Sequence, residues 1–245
     1  MISVLKKIDK PIFHICIFFF IYFLTSYSIW KRYQFNPTSQ IHFGKEFALQ
    51  NKSKMPDSAI VELGEKNDLG AGYDGQIFYF FSRTLSDFSL DWPKGFDESY
   101  RAPRIGYPFL ISLFGLFGKQ GSIFGMYFVN IFLFFTSFLF LRRILDEDKK
   151  YLALFYLLSP FSLGSYAVLV SDTVMVSLVI IAYYYFLEEK NIFFILISSL
   201  AILCKEPALF FFFPLGLKVL YEKRLSKVFL IASILLIPIA FNISE

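Results

Sequence analysis

The sequence predicts an all-α polytopic membrane protein, with seven transmembrane helices and a large, partly helical first extracytoplasmic loop. Three observations predict it. The chain is 56% hydrophobic and only 18% charged, with 34 phenylalanines, which is more apolar surface than a soluble core of this size requires. Apolar runs approaching about 20 residues recur, the length that crosses a hydrocarbon layer as a helix. Basic residues gather between those runs in a pattern that orients them.

The N-terminal lysines Lys6, Lys7 and Lys10 precede the first apolar run, 11–30. A cleaved signal peptide has a similar look, but no small-residue cleavage site follows, so the run reads as the first transmembrane helix. Residues 31–120 form the extracytoplasmic loop, too long for a plain connector and therefore partly helical. Within it, Gln76 to Leu85 mixes aromatics and leucine at spacings compatible with a helix lying on the membrane. The apolar stretch 105–117 covers only about 20 Å as a helix against a layer of roughly 30 Å, so it is assigned as interfacial or re-entrant. Six further spans, in 121–243, follow at 121–141, 151–170, 173–187, 191–204, 207–221 and 228–243, so that 1–245 forms a single membrane domain.

Charge tests this count. With 105–117 left out, the N-terminal lysines, the cluster Arg142, Arg143, Lys149 and Lys150, and the stretch from Lys218 to Lys227 all lie on the cytoplasmic side. Counting 105–117 as a span would send Arg142–Lys150 outside. The N-terminus is then cytoplasmic and the C-terminus outside. Two polar interruptions without basic clusters, Ser171-Asp172 and Lys205-Glu206, fall on the outer side with the long loop. Ionisable groups at membrane depth are costly and mark function by default. Phe18–Phe20 and Phe210–Phe213 read as lipid-facing bulk, and Pro160 and Gly164 could break the third span, with no matching second break elsewhere.

Cys16 and Cys204 lie in apolar spans and give no disulfide framework; His14 and His42 are isolated and lack zinc-ligand spacing. No metal site or cofactor is indicated, and nothing suggests nucleic-acid binding.

The most informative stretch is Gly72-Tyr73-Asp74-Gly75-Gln76-Ile77-Phe78-Tyr79. An acid between two glycines and flanked by aromatics reads as a carboxylate in an open, sugar-sized pocket at the membrane surface. Asp-Gly is equally a common turn dipeptide. The segment Tyr100-Arg101-Ala102-Pro103-Arg104-Ile105-Gly106-Tyr107-Pro108 follows and can supply countercharge. Together they suggest an enzyme acting at the outer membrane face on a lipid-linked anionic substrate.

These two runs resemble the first outer loop of bacterial membrane glycosyltransferases of the GT-C type. Ser159-Pro160, Ser171-Asp172 and Leu203-Cys204-Lys205-Glu206-Pro207-Ala208-Leu209 are similar to that superfamily's recurring helix ends. The resemblance implies a module of seven transmembrane helices whose first extracytoplasmic loop holds the catalytic acid. It also implies transfer of a sugar, of the hexosyl or mannosyl kind, from a polyprenyl-phosphate donor at the outer face of a bacterial inner membrane. The acceptor is a glycan, lipid or protein. Members of the superfamily continue into further helices or a C-terminal domain that helps bind the acceptor. This sequence ends at Glu245, a departure that fits a minimal enzyme, a split component or a truncated sequence.

On this reading Asp74 is the general base that deprotonates the acceptor hydroxyl, and a single displacement inverts the anomeric carbon. Tyr73 and Gln76 flank it as substrate-binding residues. Arg101 and Arg104 bind the donor phosphate, or else mark the interface at ordinary lipid head groups. Lys205 contacts phosphate with Glu206 orienting it or binding sugar, or the two cap a tight outer hairpin. Asp172 binds sugar hydroxyls or a second cation, or caps its helix after Ser171. Asp87, Asp91, Asp97 and Glu98 are solvated loop acids that could replace Asp74 as base. The competing class is a non-catalytic membrane subunit or a transporter-like, lipid-binding protein. Transport predicts ionisable groups at mid-membrane depth, whereas here they sit at span ends.

Overall fold

A computed structural model describes residues 10–89 and 91–243. Helix dominates it. The first apolar run forms α1 (Pro11–Arg32), with Pro11 at a helix start, where its missing N–H costs nothing. Next come β1 (Phe43–Gly44), α2 (Lys45–Gln50) and β2 (Val61–Glu62); the two strands pair in parallel, Phe43 opposite Val61. Then follow α3 (Asp74–Ser86), α4 (Glu98–Arg101), α5 (Gly106–Gly115) and the long α6 (Lys119–Ile144). The remainder comprises α7 (Ala153–Leu157), α8 (Pro160–Ala167), α9 (Asp172–Leu187), α10 (Asn191–Cys204), α11 (Leu209–Tyr221), α12 (Leu225–Ser233) and α13 (Leu236–Ile243).

Two helices, α1 and α6, are long and apolar enough to cross a membrane. The other apolar segments are shorter. At about 1.5 Å per residue, the 16 residues of α9 extend about 24 Å and the 14 of α10 about 21 Å. The segment expected as one span at 151–170 is divided at Ser159-Pro160 into α7 and α8. The last span, 228–243, also contains an interruption, at Ile234-Leu235, where a single break in the third span had been expected. Its cause is Pro238. Lacking an N–H, it frees the Ile234 carbonyl four residues earlier, and the buried Ser199 hydroxyl of α10 donates to that oxygen at 2.7 Å.

The helix expected on the membrane surface at Gln76–Leu85 exists as α3, but it is not superficial. Eleven of its 13 residues are buried. Phe78, Tyr79, Phe80 and Phe81 in succession set aromatic rings around it, and a helix apolar on so many sides is stable only when surrounded. Phe43 packs on Tyr79 and Phe80, Phe47 on Phe80, and Phe78 on Tyr107 of α5. The α5 helix, narrower than its expected 105–117, is wedged among α3, α6 and α10. It is bound to α6 by Asn130, whose amide donates to the Tyr107 hydroxyl at 2.6 Å.

In the bundle, α9 packs between α6 and α10, while α1 lies against α7 and α8. Buried hydroxyls bridge helices: Ser26 with Tyr166 and Ser137 with Tyr156, each at 2.7 Å. Such bridges are the polar glue of apolar helix bundles. Phe19, Phe20, Phe210, Phe211 and Phe213 face outward, as expected for lipid-facing bulk. Phe18 and Phe212 do not; they are 1% and 3% exposed and belong to the core. Outward phenylalanines also line α6 at Phe124, Phe128 and Phe132.

Candidate functional site

Two close backbone approaches assemble the site. A Cβ on Gly75 would stand 2.7 Å from the Ile41 carbonyl oxygen and 2.8 Å from that of Val168. Only glycine lets the start of α3 seat against the turn between α8 and α9. Likewise, a Cβ on Gly106 would lie 2.7 Å from the Cys204 nitrogen and 2.8 Å from the Leu203 carbonyl carbon. The arginine segment is thereby docked against the C-terminal end of α10. Gly72 adopts φ +88°, the left-handed region that the sequence motif anticipates.

These contacts bring six of the predicted charged residues into three ion pairs, each joining separate segments. Arg101 reaches the Asp74 carboxylate at 3.3 Å. Arg104 donates from Nε to both oxygens of Glu206, at 2.9 and 3.1 Å. Lys205 donates to Asp172 at 2.6 Å, with the side chains only 27% and 23% exposed. Lys205 and Glu206 therefore do not pair with each other. Lys205 is extended, at φ −167° and ψ 131°, and extended backbone sends successive side chains to opposite sides. Lys205 turns to α9, and Glu206 turns to the arginine segment.

Asp74 is the first residue of α3, half-exposed, where the helix dipole favours a negative charge. Tyr73 stands beside it with its ring exposed. Tyr73, Asp172 and Lys205 line one open cleft of 610 Å³, together with Pro160, Phe161 and Gly164 of α8. Those α8 residues were not anticipated as lining; the only sequence signal was the break at Ser159-Pro160. Tyr100 was also not anticipated. The Arg104 guanidinium lies over its ring, 4.1 Å from the centroid, a cation–π contact. Partial burial opposes charge on Arg104, but its bonds to Glu206, assisted by Tyr100, outweigh that and raise its pKa.

Gln76 is placed differently from its expected role on substrate. It is 3% exposed. Its amide oxygen accepts from the Gly44 N–H at 2.8 Å and its amide nitrogen donates to the Ala71 carbonyl at 2.9 Å. Gln76 thus clasps the loop that carries Asp74. Asp172 opens α9 with its carboxylate on Lys205, and the Thr173 N–H is taken by the Ser165 hydroxyl at 3.1 Å. Among the alternative loop acids, Asp87 is held by Arg83 at 2.5 Å, and Asp97 accepts from Ser99 at 3.0 Å. His42 pairs with Glu62 across the small sheet. Among the described residues, His, Cys, Asp and Glu form no group of three or more able to hold a metal ion.

What this arrangement offers chemically is an open cleft walled by Tyr73 and Phe161 and lined by Asp172 and Lys205. Two half-exposed carboxylates, Asp74 and Glu206, stand one residue along the chain from that lining, each paired with an arginine. No protein-family model, characterised protein or solved structure matches this chain.

Proposed function

We propose that this protein is an integral-membrane glycosyltransferase that takes its sugar from a polyprenyl-phosphate donor. The observation that supports this reading is the cleft lined by Tyr73, Asp172 and Lys205, whose chain neighbours Asp74 and Glu206 are paired with Arg101 and Arg104. A base for an acceptor hydroxyl and cations for a phosphate leaving group are the two things such a transfer needs.

In the proposed reaction the acceptor hydroxyl attacks the anomeric carbon while the bond from that carbon to the phosphate oxygen breaks. The hydroxyl proton passes to Asp74. The electron pair leaves with the polyprenyl phosphate, whose charge Arg101, Arg104 and Lys205 offset. The product has inverted configuration. Tyr73 and the α8 wall supply a face for the sugar ring, and Gln76 contributes by fixing the Asp74 loop.

The same reading has all seven apolar segments cross a bacterial inner membrane, with the N-terminus cytoplasmic and the cleft outside. The outward phenylalanines support immersion in lipid. The shorter helices fit if they cross where the polar loop domain and the α5 wedge replace part of the lipid depth.

The test follows release of free polyprenyl phosphate from a panel of polyprenyl-phosphate sugars, in membranes carrying wild type or Asp74→Asn at equal protein levels. Release by wild type that the substitution abolishes is the expected result. Equal release from both would remove Asp74 as base and turn attention to Asp172. Binding of the donor without release in either would favour the non-catalytic, lipid-binding alternative.

A further inference from the structure

The end of the bundle opposite the cleft carries a second cavity with a different chemistry. Helix α9 has Asp172 at the cleft and Phe186 and Leu187 at its other end, about 24 Å away by helical rise. There, a polar cavity of 300 Å³ lies between the ends of α9 and α11 and the start of α12. Lys218, Arg224 and Lys227 line it, against Glu189 and Glu222. Two of the cations are engaged, Lys227 with Glu189 at 2.9 Å and Arg224 with Glu222 at 3.2 Å. Lys218 has no ion-pair partner among the described residues. The cavity lining therefore carries one cation in excess, around a space large enough for a phosphate group.

The second observation is what adjoins it. An apolar groove of 250 Å³ runs between α6, α9 and α11, lined by Leu141, Val179, Ile180 and Phe211 among others. Tyr183 and Leu215 line both the groove and the polar cavity. A charged head compartment thus continues into an apolar channel along the helix surface, the shape of one lipid molecule rather than of a soluble anion. Lys227 also sits over the Phe186 ring at 5.2 Å, which holds its ammonium at the cavity mouth.

We propose that this paired cavity binds one anionic diacyl phospholipid, its phosphate at Lys218 and Lys227 and an acyl chain in the groove. Basic pockets between helices at the cytoplasmic side are built for such head groups. The inference rests on the bundle lying in a membrane, but not on any sugar transfer at the opposite end.

The experiment is native mass spectrometry of the full chain in detergent, with equimolar dioleoyl phosphatidylglycerol and dioleoyl phosphatidylcholine. Retention of phosphatidylglycerol over phosphatidylcholine is expected. Lys218→Gln, at an exposed position whose loss leaves folding intact, should reduce that preference severalfold. Lys218→Gln with Lys227→Gln should reduce it roughly ten- to thirtyfold. Lys149→Gln with Lys150→Gln, which removes cations outside the cavity, should leave it unchanged. No preference in wild type overturns the proposal, as does an equal loss in the Lys149/Lys150 control, which would show general surface charge only. Displacement of the lipid by glycerol phosphate at equal concentration would also overturn it, in favour of a small-anion site. Because the readout is bound lipid, failure here leaves the Asp74 reaction untouched, and the reverse holds too.

Discussion

The two ends of the bundle treat their charges in different ways. Around the predicted site, three ion pairs join segments distant in sequence: Asp74 with Arg101, Arg104 with Glu206, Asp172 with Lys205. At the other end most pairs are local. Asp146 binds Lys149 and Glu147 binds Lys150, each three residues on, and Glu222 binds Arg224 two residues on. Local pairs form wherever a chain turns and say little about what the surface does. Cross-segment pairs require the fold to bring them together, so they mark where the fold is committed to holding charge. The exception at the far end is Glu189 with Lys227, and that pair lines the cavity assigned to a lipid head group.

The sharpest way to break this contrast is at the cleft. Asp74→Asn is expected to lower sugar transfer by about 10²–10⁴-fold, the usual contribution of a positioned base, with protein level and melting temperature unchanged. A variant that also unfolds would make Asp74 a structural anchor and dissolve the distinction between the ends. Next in size is Gly106→Ala. The added methyl must displace backbone at Leu203 and Cys204, since those atoms cannot rotate away. An overpacking cost of roughly 1–3 kcal/mol is expected, read as a lower melting temperature in detergent. Because Gly106 seats the segment carrying Arg104, transfer should fall with it.

Much of this arrangement was legible in the sequence, for identifiable reasons. Helices α1 and α6 announce themselves because their apolar runs are long and uninterrupted, and length alone decides. Asp74, Arg101 and Arg104 stand out because they occur among glycines and aromatics in a polar loop. What failed depended on distant partners. Gln76 looks like a substrate ligand until Gly44 and Ala71 arrive at its amide, and neither backbone atom leaves a trace in the sequence. The α3 helix looks superficial because Phe43 and Phe47, which cover it, belong to another segment. The partners of Lys205 and Glu206 turn on one extended residue, which no composition rule reports. The break at Ile234 needed Pro238 and Ser199 read together across two helices.

A smaller effect sharpens the meaning of a cross-segment pair. Asp172→Asn, Lys205→Met and the double variant form a cycle on a pair that is three-quarters shielded from solvent. A favourable coupling of about 0.5–1.5 kcal/mol is expected from thermal unfolding, above the usual surface pair and below a fully buried one. A coupling near zero would mean that the two charges are held apart from each other's energetics and are kept for a ligand alone. A large coupling would make the pair mainly a clamp between α9 and α10.

The smallest effect belongs to Asp146→Asn, and its smallness is the point. Lys149 donates to Asp146 at 2.6 Å, as short as the Lys205–Asp172 contact. Distance alone would rank the two pairs equally. The hydrogen bond to Lys149 lowers the Asp146 pKa, so its stabilisation is present above the unfolded-state carboxylate pKa and is lost as pH falls through the lower, folded value. Both side chains stand mostly in solvent, however, where water and salt replace the partner at little cost. The melting temperature at neutral pH should therefore match wild type within replicate scatter, at low and at moderate salt. A drop as large as that of Gly106→Ala would show that the local pairs also hold the fold, and that sequence separation does not separate the two ends after all.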